Sequence, residues 1–200
     1  MFYKLQKPVP AAPPRWVCLT TVMLALCLGA HAQQHHSNTA DNVLEYVPYA
    51  SLFALKSFGV KSVDNWAALA TTTAASWVAS AGTAYVLKNN IHETRPDGTN
   101  RRSFPSGHTS IAFAGATMLW KEYGKTSPWI PVAGYGVATI VSVDRVVGDH
   151  HYWHDVVAGA GIGVATAEVT WWLSRKVFKS KREQVHVGFS GNTLDVALTF

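Results

Sequence analysis

Four long stretches that are nearly free of charged residues constrain the fold of this chain more than any other feature. They are residues 66–87, 104–120, 126–143 and 156–173, and the fourth contains Glu168. Their richness in Ala, Gly, Thr and Val, at the length of a helix rather than a strand, favours closely packed helices. A weaker helix candidate, residues 43–58, precedes them and is interrupted by Pro48. We predict an all-α fold, an antiparallel helical bundle of four core helices plus this preceding helix.

The two ends of the chain have patterns of their own. Lys4, Lys7 and Arg15 precede an apolar run and then Ala30-His31-Ala32, which is the order of a secretory signal peptide with its small-residue cleavage site. We therefore expect a signal peptide over residues 1–32, a flexible linker over 33–42 and a helical domain over 43–182. After residue 183, apolar and polar residues alternate around Gly191-Asn192, which predicts a C-terminal β-hairpin over residues 183–200.

Composition narrows the class of partner. The length of 200 residues suits one domain with appendages, and the formal net charge of +5 favours an anionic partner. Nucleic acid is not expected, because the basic residues form neither a stripe with aromatic residues nor a known reading motif. Cys18 and Cys27 both lie in the predicted signal peptide, so the mature chain would have no disulfide and no cysteine metal site.

The predicted topology brings the candidate functional residues together. If the four core helices run alternately up and down, the end of the first, the start of the second, the end of the third and the start of the fourth meet at one pole. The residues at those four places are Lys88 and Arg95, His108, Arg145, and His151 with Asp155. Most lysine and arginine residues between Lys56 and Arg182 that are not in this set fall at the opposite pole.

His151 and Asp155 have the spacing of a catalytic pair. If residues 149–157 open a helix, the two side chains stand four residues apart on one face, so the carboxylate can hold one imidazole nitrogen and leave the other free to attack. Arg145, six residues upstream of His151, can hold an anion nearby. This set of groups suits nucleophilic displacement at phosphorus.

Three ordered motifs resemble the signature of the type 2 phosphatidic acid phosphatase and vanadium haloperoxidase superfamily. The first motif, Lys, six residues, Arg-Pro, matches Lys88, Arg95 and Pro96. The second, Pro-Ser-Gly-His, matches the four residues from Pro105 to His108. The third, Ser-Arg, five residues, His, three residues, Asp, matches Arg145, His151 and Asp155, with Asp144 in place of the serine. Three motifs with correct internal spacing are a far more specific signal than any one alone.

The resemblance implies a role for each matched residue. His151 would form a phosphohistidine, Asp155 would orient it, and His108 would protonate the leaving oxygen and then activate water. The phosphate would be bound by Lys88, Arg95, Ser106, Gly107 and Arg145. No metal and no cofactor is expected.

The function expected from these motifs is an exported, metal-independent phosphatase acting on a phosphomonoester or a terminal pyrophosphate. A lipid substrate is favoured by the apolar helices, by tryptophans near their ends and by the resemblance to lipid phosphatases. The alternatives are a nonspecific periplasmic acid phosphatase on small soluble esters, a haloperoxidase, and a non-catalytic envelope protein. A metal site among Asp149, His150, His151, His154 and Asp155 is a further alternative, since His150 and His154 would share a helical face.

The sequence is compatible with two cellular locations. We expect a periplasmic or cell-envelope protein at a membrane surface. If the N-terminal segment is not cleaved, it and residues 43–58 would raise the helix count to six, and the chain could span the inner membrane with the site outside. The sequence does not predict the oligomeric state.

Overall fold

The computed structural model describes residues 42–182, 186–190 and 193–197. These described residues form five helices: α1 (Val47–Ser57), α2 (Trp66–Asn90), α3 (Gly107–Tyr123), α4 (Trp129–Val147) and α5 (Trp153–Arg182). Residues 42–182 contain no strand, which confirms the all-α class predicted for this region. The segments β1 (His186–Ser190) and β2 (Thr193–Ala197) pair antiparallel, His186 opposite Ala197. The predicted signal peptide, residues 33–41 of the predicted linker and the predicted turn at Gly191-Asn192 lie outside the described residues.

Local chemistry accounts for where helices α1 and α2 begin. The side chain of Asn65 caps α2, because its Oδ1 accepts the amide of Ala68 at 2.8 Å. The interruption predicted at Pro48 coincides with a break. Residues 42–44 form a separate helical turn and α1 begins at Val47, so Pro48 stands in the first turn, where proline is tolerated.

Helix α3 is the centre of the fold, and it packs against each of the other four helices. Small residues allow this close packing: Ala112 and Ala116 of α3 form a buried cluster with Ala138 and Val141 of α4. Gly159 and Gly163 of α5 lie directly against the carbonyls of Ser106 and Ser110. Glycine is required at both positions, because a Cβ atom there would overlap those backbone oxygens. This contact places the start of α5 beside the start of α3.

The Gly163→Ala substitution is expected to lower stability, and Gly161→Ala to raise it. A methyl at Gly163 overlaps the Ser110 carbonyl, an overpacking that costs about 1–3 kcal/mol. A methyl at Gly161 has no heavy atom within 4 Å, so the loss of glycine flexibility should stabilise by about 0.4–1 kcal/mol. Thermal unfolding of both variants in one detergent checks this, and equal shifts of the midpoint would contradict the packing described here.

The pole opposite the candidate residues is more acidic than the sequence suggests. Asp64, just before α2, donates its amide to Glu122 Oε2 at 3.0 Å, and its Oδ1 lies 2.9 Å from Arg175 Nη2. Lys56 donates to the backbone carbonyl of Asp64. Glu122 is fully buried and Asp64 nearly so. The lysines and arginines at this pole are therefore partly neutralised by carboxylates, and the start of α2 and the ends of α1, α3 and α5 meet there.

Two segments among the described residues have the length and composition of membrane spans: Trp129–Val147 and Trp153–Lys176. Each has a mean hydropathy of 1.4, but only 44% of the first and 22% of the second is buried in the protein. Large apolar side chains are correspondingly exposed on the surface. Among them are Trp66, Trp120 and Trp129, which lie near helix ends, and Trp172, three positions before Arg175 in α5. All four belong to the pole that contains Asp64, called the Asp64 pole below.

Candidate active site

His151 and Asp155 form a buried pair at the start of α5. The distance between His151 Nδ1 and Asp155 Oδ2 is 3.4 Å, and the two side chains are 2% and 0% exposed. The predicted helical start at residue 149 was wrong, because Gly148 ends α4 and Asp149 adopts a positive φ of 55°. His151 therefore lies in the turn before Trp153, and Asp155 reaches it across that turn.

Two groups hold the Asp155 carboxylate besides His151. Ser103 donates its hydroxyl to Oδ2, and the amide of Tyr152 donates to the same oxygen at 2.9 Å. The carbonyl of Asp155 accepts the amide of Ser106 at 3.0 Å, which ties α5 to the start of α3. Hydrogen bonds of this kind fix the carboxylate, so the imidazole beside it has a defined orientation.

Positively charged side chains surround this pair. Lys88 lies in the last turn of α2 and donates to the carbonyl of Arg102 at 3.0 Å. Arg145 is buried in the last turn of α4, and its carbonyl accepts the amides of His150 and His151 at 3.1 Å each. Arg95 is half-buried in the loop between α2 and α3, where its amide bonds to the Asn100 carbonyl at 3.0 Å.

Ser106 and Gly107 lie where α3 begins, as predicted. Ser106 is fully buried and accepts a hydrogen bond from the Thr109 hydroxyl at 3.0 Å. A Cβ at Gly107 would be 3.7 Å from Cε of Lys88, so the lysine stem passes close to this helix start. The free amides and the dipole of a helix N-terminus favour an anion at such a place.

His108 stands in the first turn of α3, with its side chain 29% exposed. Its Nε2 lies 2.9 Å from Asn42 Oδ1 and 3.9 Å from Glu45 Oε1, both from the segment before α1. Burial and, after it, the charges of Arg145 and His151 lower the pKa of His108 to about 3. Burial also raises the pKa of the Glu45 carboxyl to about 7.

The surroundings of His151 favour its neutral form. Burial and the charges of Lys88 and Arg95 lower its pKa to about 4, and Asp155 only partly opposes them. An unprotonated imidazole keeps a lone pair, which a nucleophile at phosphorus requires. The predicted residues from α2, α3, α4 and α5 are thus brought together around one buried histidine.

Two histidines of the alternative five-residue metal site contact different carboxylates. His150 turns towards Asp97, with 3.5 Å between Nδ1 and Oδ2. His154 turns towards Glu93, with 2.8 Å between Nε2 and Oε1. The two histidines do not share a helical face, because His150 precedes α5. Among the described residues, the group with metal-ligand spacing is Glu93, His154 and Asp155.

Sequence reasoning missed several residues at this site. Asn42 and Glu45 contact His108, and Ser103 contacts Asp155. Glu93 contacts His154 beside the site and has no part in the set of residues around His151. Asn42 is 66 positions from its partner and Ser103 is 52, so no local spacing pointed to either.

Two proteins of known name are similar in sequence to this chain. The lipid A 1-phosphatase of Porphyromonas gingivalis is 37% identical over 140 residues, 70% of this chain and 32% of that protein. The probable diacylglycerol pyrophosphate phosphatase 1 of Schizosaccharomyces pombe is 36% identical over 81 residues, 35% of this chain and 29% of that protein. This chain therefore spans about a third of the length of these curated relatives.

A solved structure has a similar fold, and a family model matches the sequence. The crystal structure of Aquifex aeolicus LpxE has a similar fold, with a TM-score of 0.51 over 81% of this chain and 88% of that one, at 22% identity. The sequence model of the PAP2 superfamily matches residues 65–179, more than half of the chain, and these residues include all three motifs. The chain therefore belongs to the PAP2 superfamily.

Proposed function

We propose that this protein is an exported, membrane-associated phosphatase that hydrolyses a phosphomonoester or a terminal pyrophosphate of a lipid through a phosphohistidine on His151. The observation that carries the proposal is the buried His151 beside the fixed Asp155 carboxylate. The charges of Lys88 and Arg95 act on this imidazole, and the carbonyl of Arg145 accepts the His151 amide. Cations at a buried site favour an anionic group there, and a neutral imidazole held by a carboxylate is an activated nucleophile.

In this proposal the substrate phosphate is bound by residues from four places in the fold: the end of α2, the loop after it, the start of α3 and the end of α4. Lys88, Arg95 and Arg145 neutralise its oxygens, and the guanidinium groups offer forked donors that suit them. The Ser106 hydroxyl and the Gly107 amide add donors at the start of α3. A phosphate bound by these groups would present its phosphorus to Nε2 of His151, the nitrogen that Asp155 does not hold.

The reaction then proceeds in two steps. Nε2 of His151 attacks phosphorus, a P–N bond forms, and the P–O bond to the leaving group breaks while His108 donates a proton to the departing oxygen. His108 next removes a proton from water, the resulting hydroxide attacks phosphorus, and the P–N bond breaks to release phosphate and neutral His151. Because the pKa of His108 is about 3 in the free protein, its protonation depends on the negative charge that bound phosphate places among the cations.

A lipid substrate is supported by surface features. An apolar groove of about 410 Å³ runs along α2 and is lined by Val78, Ala79, Gly82, Thr83, Val86 and Leu87. It ends one residue before Lys88, so an acyl chain in the groove would leave its headgroup near the cations. The two relatives compared above are also named for lipid phosphates.

The sequence pattern of the N-terminus and the exposed tryptophans support a proposal for the domain boundaries and the cellular location. We infer that residues 1–32 are a cleaved signal peptide, that 33–42 are a linker, and that 43–182 form the phosphatase domain around four core helices, α2 to α5. Exposed tryptophans at the Asp64 pole, such as Trp129 and Trp172, suit a membrane interface, and the site at the other pole would face the periplasm. The six-span arrangement remains the alternative if residues 1–32 are retained. The hairpin over residues 183–200 would dock on this domain or on a partner.

The purified protein is expected to prefer long-chain lipid phosphates to small soluble esters. EDTA should leave the activity unchanged, because the cations of the site are side chains, and vanadate should inhibit as a phosphate mimic. Phosphate release from a phosphatidic acid, a short-chain analogue and an aryl phosphate is the measurement. Equal kcat/KM on all three would indicate a nonspecific acid phosphatase, and loss of activity in EDTA that zinc restores would indicate a metal enzyme.

Filling the groove on α2 is expected to lower the activity on long-chain lipid substrates alone. Gly82→Leu should lower kcat/KM for the long-chain lipid by roughly tenfold, about 1.4 kcal/mol, and leave the short-chain analogue unaffected. The control is Gly136→Leu on α4, since both glycines have no heavy atom within 4 Å of a built Cβ. A loss shared by both variants, or by both substrates, would show that the groove does not bind the acyl chain.

A further inference from the structure

Glu93, His154 and Asp155 form a compact group of possible metal ligands beside the proposed nucleophile. His154 Nε2 lies 2.8 Å from Glu93 Oε1 and 3.4 Å from Asp155 Oδ1, and the three ligand atoms all lie within 4.8 Å of one another. Glu93 comes from the loop between α2 and α3, whereas the other two residues stand in the first turn of α5. Distant parts of the chain therefore converge on one point.

The two oxygens of Asp155 differ in their surroundings. Oδ2 receives Ser103, Tyr152 and His151, as described above. Oδ1 is buried and has no hydrogen-bond partner among the described residues, and His154 Nε2 lies 3.4 Å from it. A buried carboxylate oxygen without a partner costs free energy that a bound cation would recover.

We propose that Glu93, His154 and Asp155 bind Zn²⁺ and that the bound ion inhibits hydrolysis. One imidazole nitrogen and two carboxylate oxygens are ligands typical of zinc, whereas calcium and magnesium prefer oxygen alone. In a tetrahedral site with bonds of about 2.0–2.1 Å, ligand atoms stand about 3.3 Å apart. The two separations measured from His154, 2.8 and 3.4 Å, need only small shifts to reach that value.

The surroundings of His154 allow an ion to enter and be held. The imidazole stacks on the Tyr152 ring, with centroids 5.4 Å apart, and the rings of Phe104 and Trp153 flank it. These contacts limit its rotation. The side chains of His154 and Glu93 are 41% and 31% exposed, so an ion reaches them from solvent before it contacts the buried Asp155.

Inhibition follows from the shared carboxylate. Zinc on Oδ1 withdraws negative charge from Asp155 and adds positive charge beside His151, so the carboxylate holds and polarises that imidazole less well. Formation of the phosphohistidine should then slow. This consequence rests on the function proposed above, whereas metal binding itself does not.

Cobalt spectroscopy tests the site without reference to activity. The full chain, freed of metal with EDTA, is titrated with Co²⁺, and we expect one bound ion per chain with the visible bands of a tetrahedral site. His154→Gln and Glu93→Gln should weaken binding by at least tenfold. His150→Gln should not, because His150 contacts Asp97 instead. Equal binding by wild type and His154→Gln, or loss of the bands on replacing His35 and His36 outside the described residues, would overturn the assignment.

Zinc inhibition is tested on the same variants. Zinc should inhibit the wild type reversibly, and EDTA should restore the rate. His154→Gln and Glu93→Gln should hydrolyse the lipid at rates near wild type without zinc and resist inhibition by at least tenfold. Inhibition of wild type and His154→Gln at the same zinc concentration would show that the inhibitory site lies elsewhere. If no variant has phosphatase activity, the proposed function fails, and the cobalt titration still decides whether the site exists.

Discussion

The His151→Ala protein is expected to hydrolyse no phosphate ester at a measurable rate. In the proposed mechanism its imidazole forms the covalent intermediate, and none of the other matched residues is placed to replace it. Removing the nucleophile of a covalent mechanism lowers kcat by roughly 10,000-fold or more. The loss should be the same for alkyl and aryl phosphates, because every substrate passes through the same P–N bond.

Two companion variants separate chemistry from folding. His151→Gln keeps a hydrogen-bonding side chain beside Asp155 and should be equally inactive while unfolding at nearly the wild-type temperature. His150→Ala removes the neighbouring histidine, which contacts Asp97 at the edge of the site, and should retain most of the activity. Substantial turnover by either His151 variant, with phosphate release measured on aryl and alkyl esters, would show that another group attacks phosphorus.

Helix positions were predictable from the sequence because they depend on local properties. Long stretches that are nearly free of charge are expected to be buried in the protein or to face lipid. Each of the four predicted stretches overlaps an observed helix from α2 to α5. The convergence of Lys88, Arg145 and His151 on one site follows from alternating helix directions and short connections. Neither inference required knowledge of a tertiary contact.

At the start of α5, the sequence contained a local signal for a turn that the prediction did not use. Spacing alone suggested a helix from residue 149, but Gly148 is a common helix terminator, and Asp149 is among the residues that adopt positive φ most readily. Both signals predict that α4 ends and a turn follows before Trp153. The His151 and Asp155 pair survives this correction because the carboxylate reaches back across the turn.

Other features of the site could not be predicted from one sequence. The contacts of Asn42 and Glu45 with His108 join segments that are far apart in the chain, and nothing in their composition marks them as partners. The burial of Asp64 and Glu122 at the opposite pole is of the same kind. Counting charges along helix ends predicted a basic pole, whereas the balance of charge there is set by which side chains the packing brings together.

His108→Ala is expected to lower activity by an amount that depends on the leaving group. The alkoxide of an alkyl lipid phosphate is a poor leaving group that needs a proton, so loss of the general acid should cost roughly 100-fold to 10,000-fold in phosphorylation of His151. The phenolate of an activated aryl phosphate leaves with little protonation, so that step should slow much less. The second step still lacks its base, since His108 also activates water.

The same variant should therefore accumulate the intermediate when it is given an aryl phosphate. Rapid mixing should show an initial burst of the phenol followed by slow turnover, and acid-labile, base-stable phosphate should appear on His151. His92→Ala, which removes an exposed histidine in the loop after α2, is the matched control and should show no burst beyond that of the wild type. Asn42 and Glu45 hold the His108 ring on the side of α1, so their replacement should produce a milder form of the same leaving-group dependence. Equal slowing of phosphorylation by aryl and alkyl esters in His108→Ala would mean that His108 binds the phosphate rather than protonating the leaving oxygen.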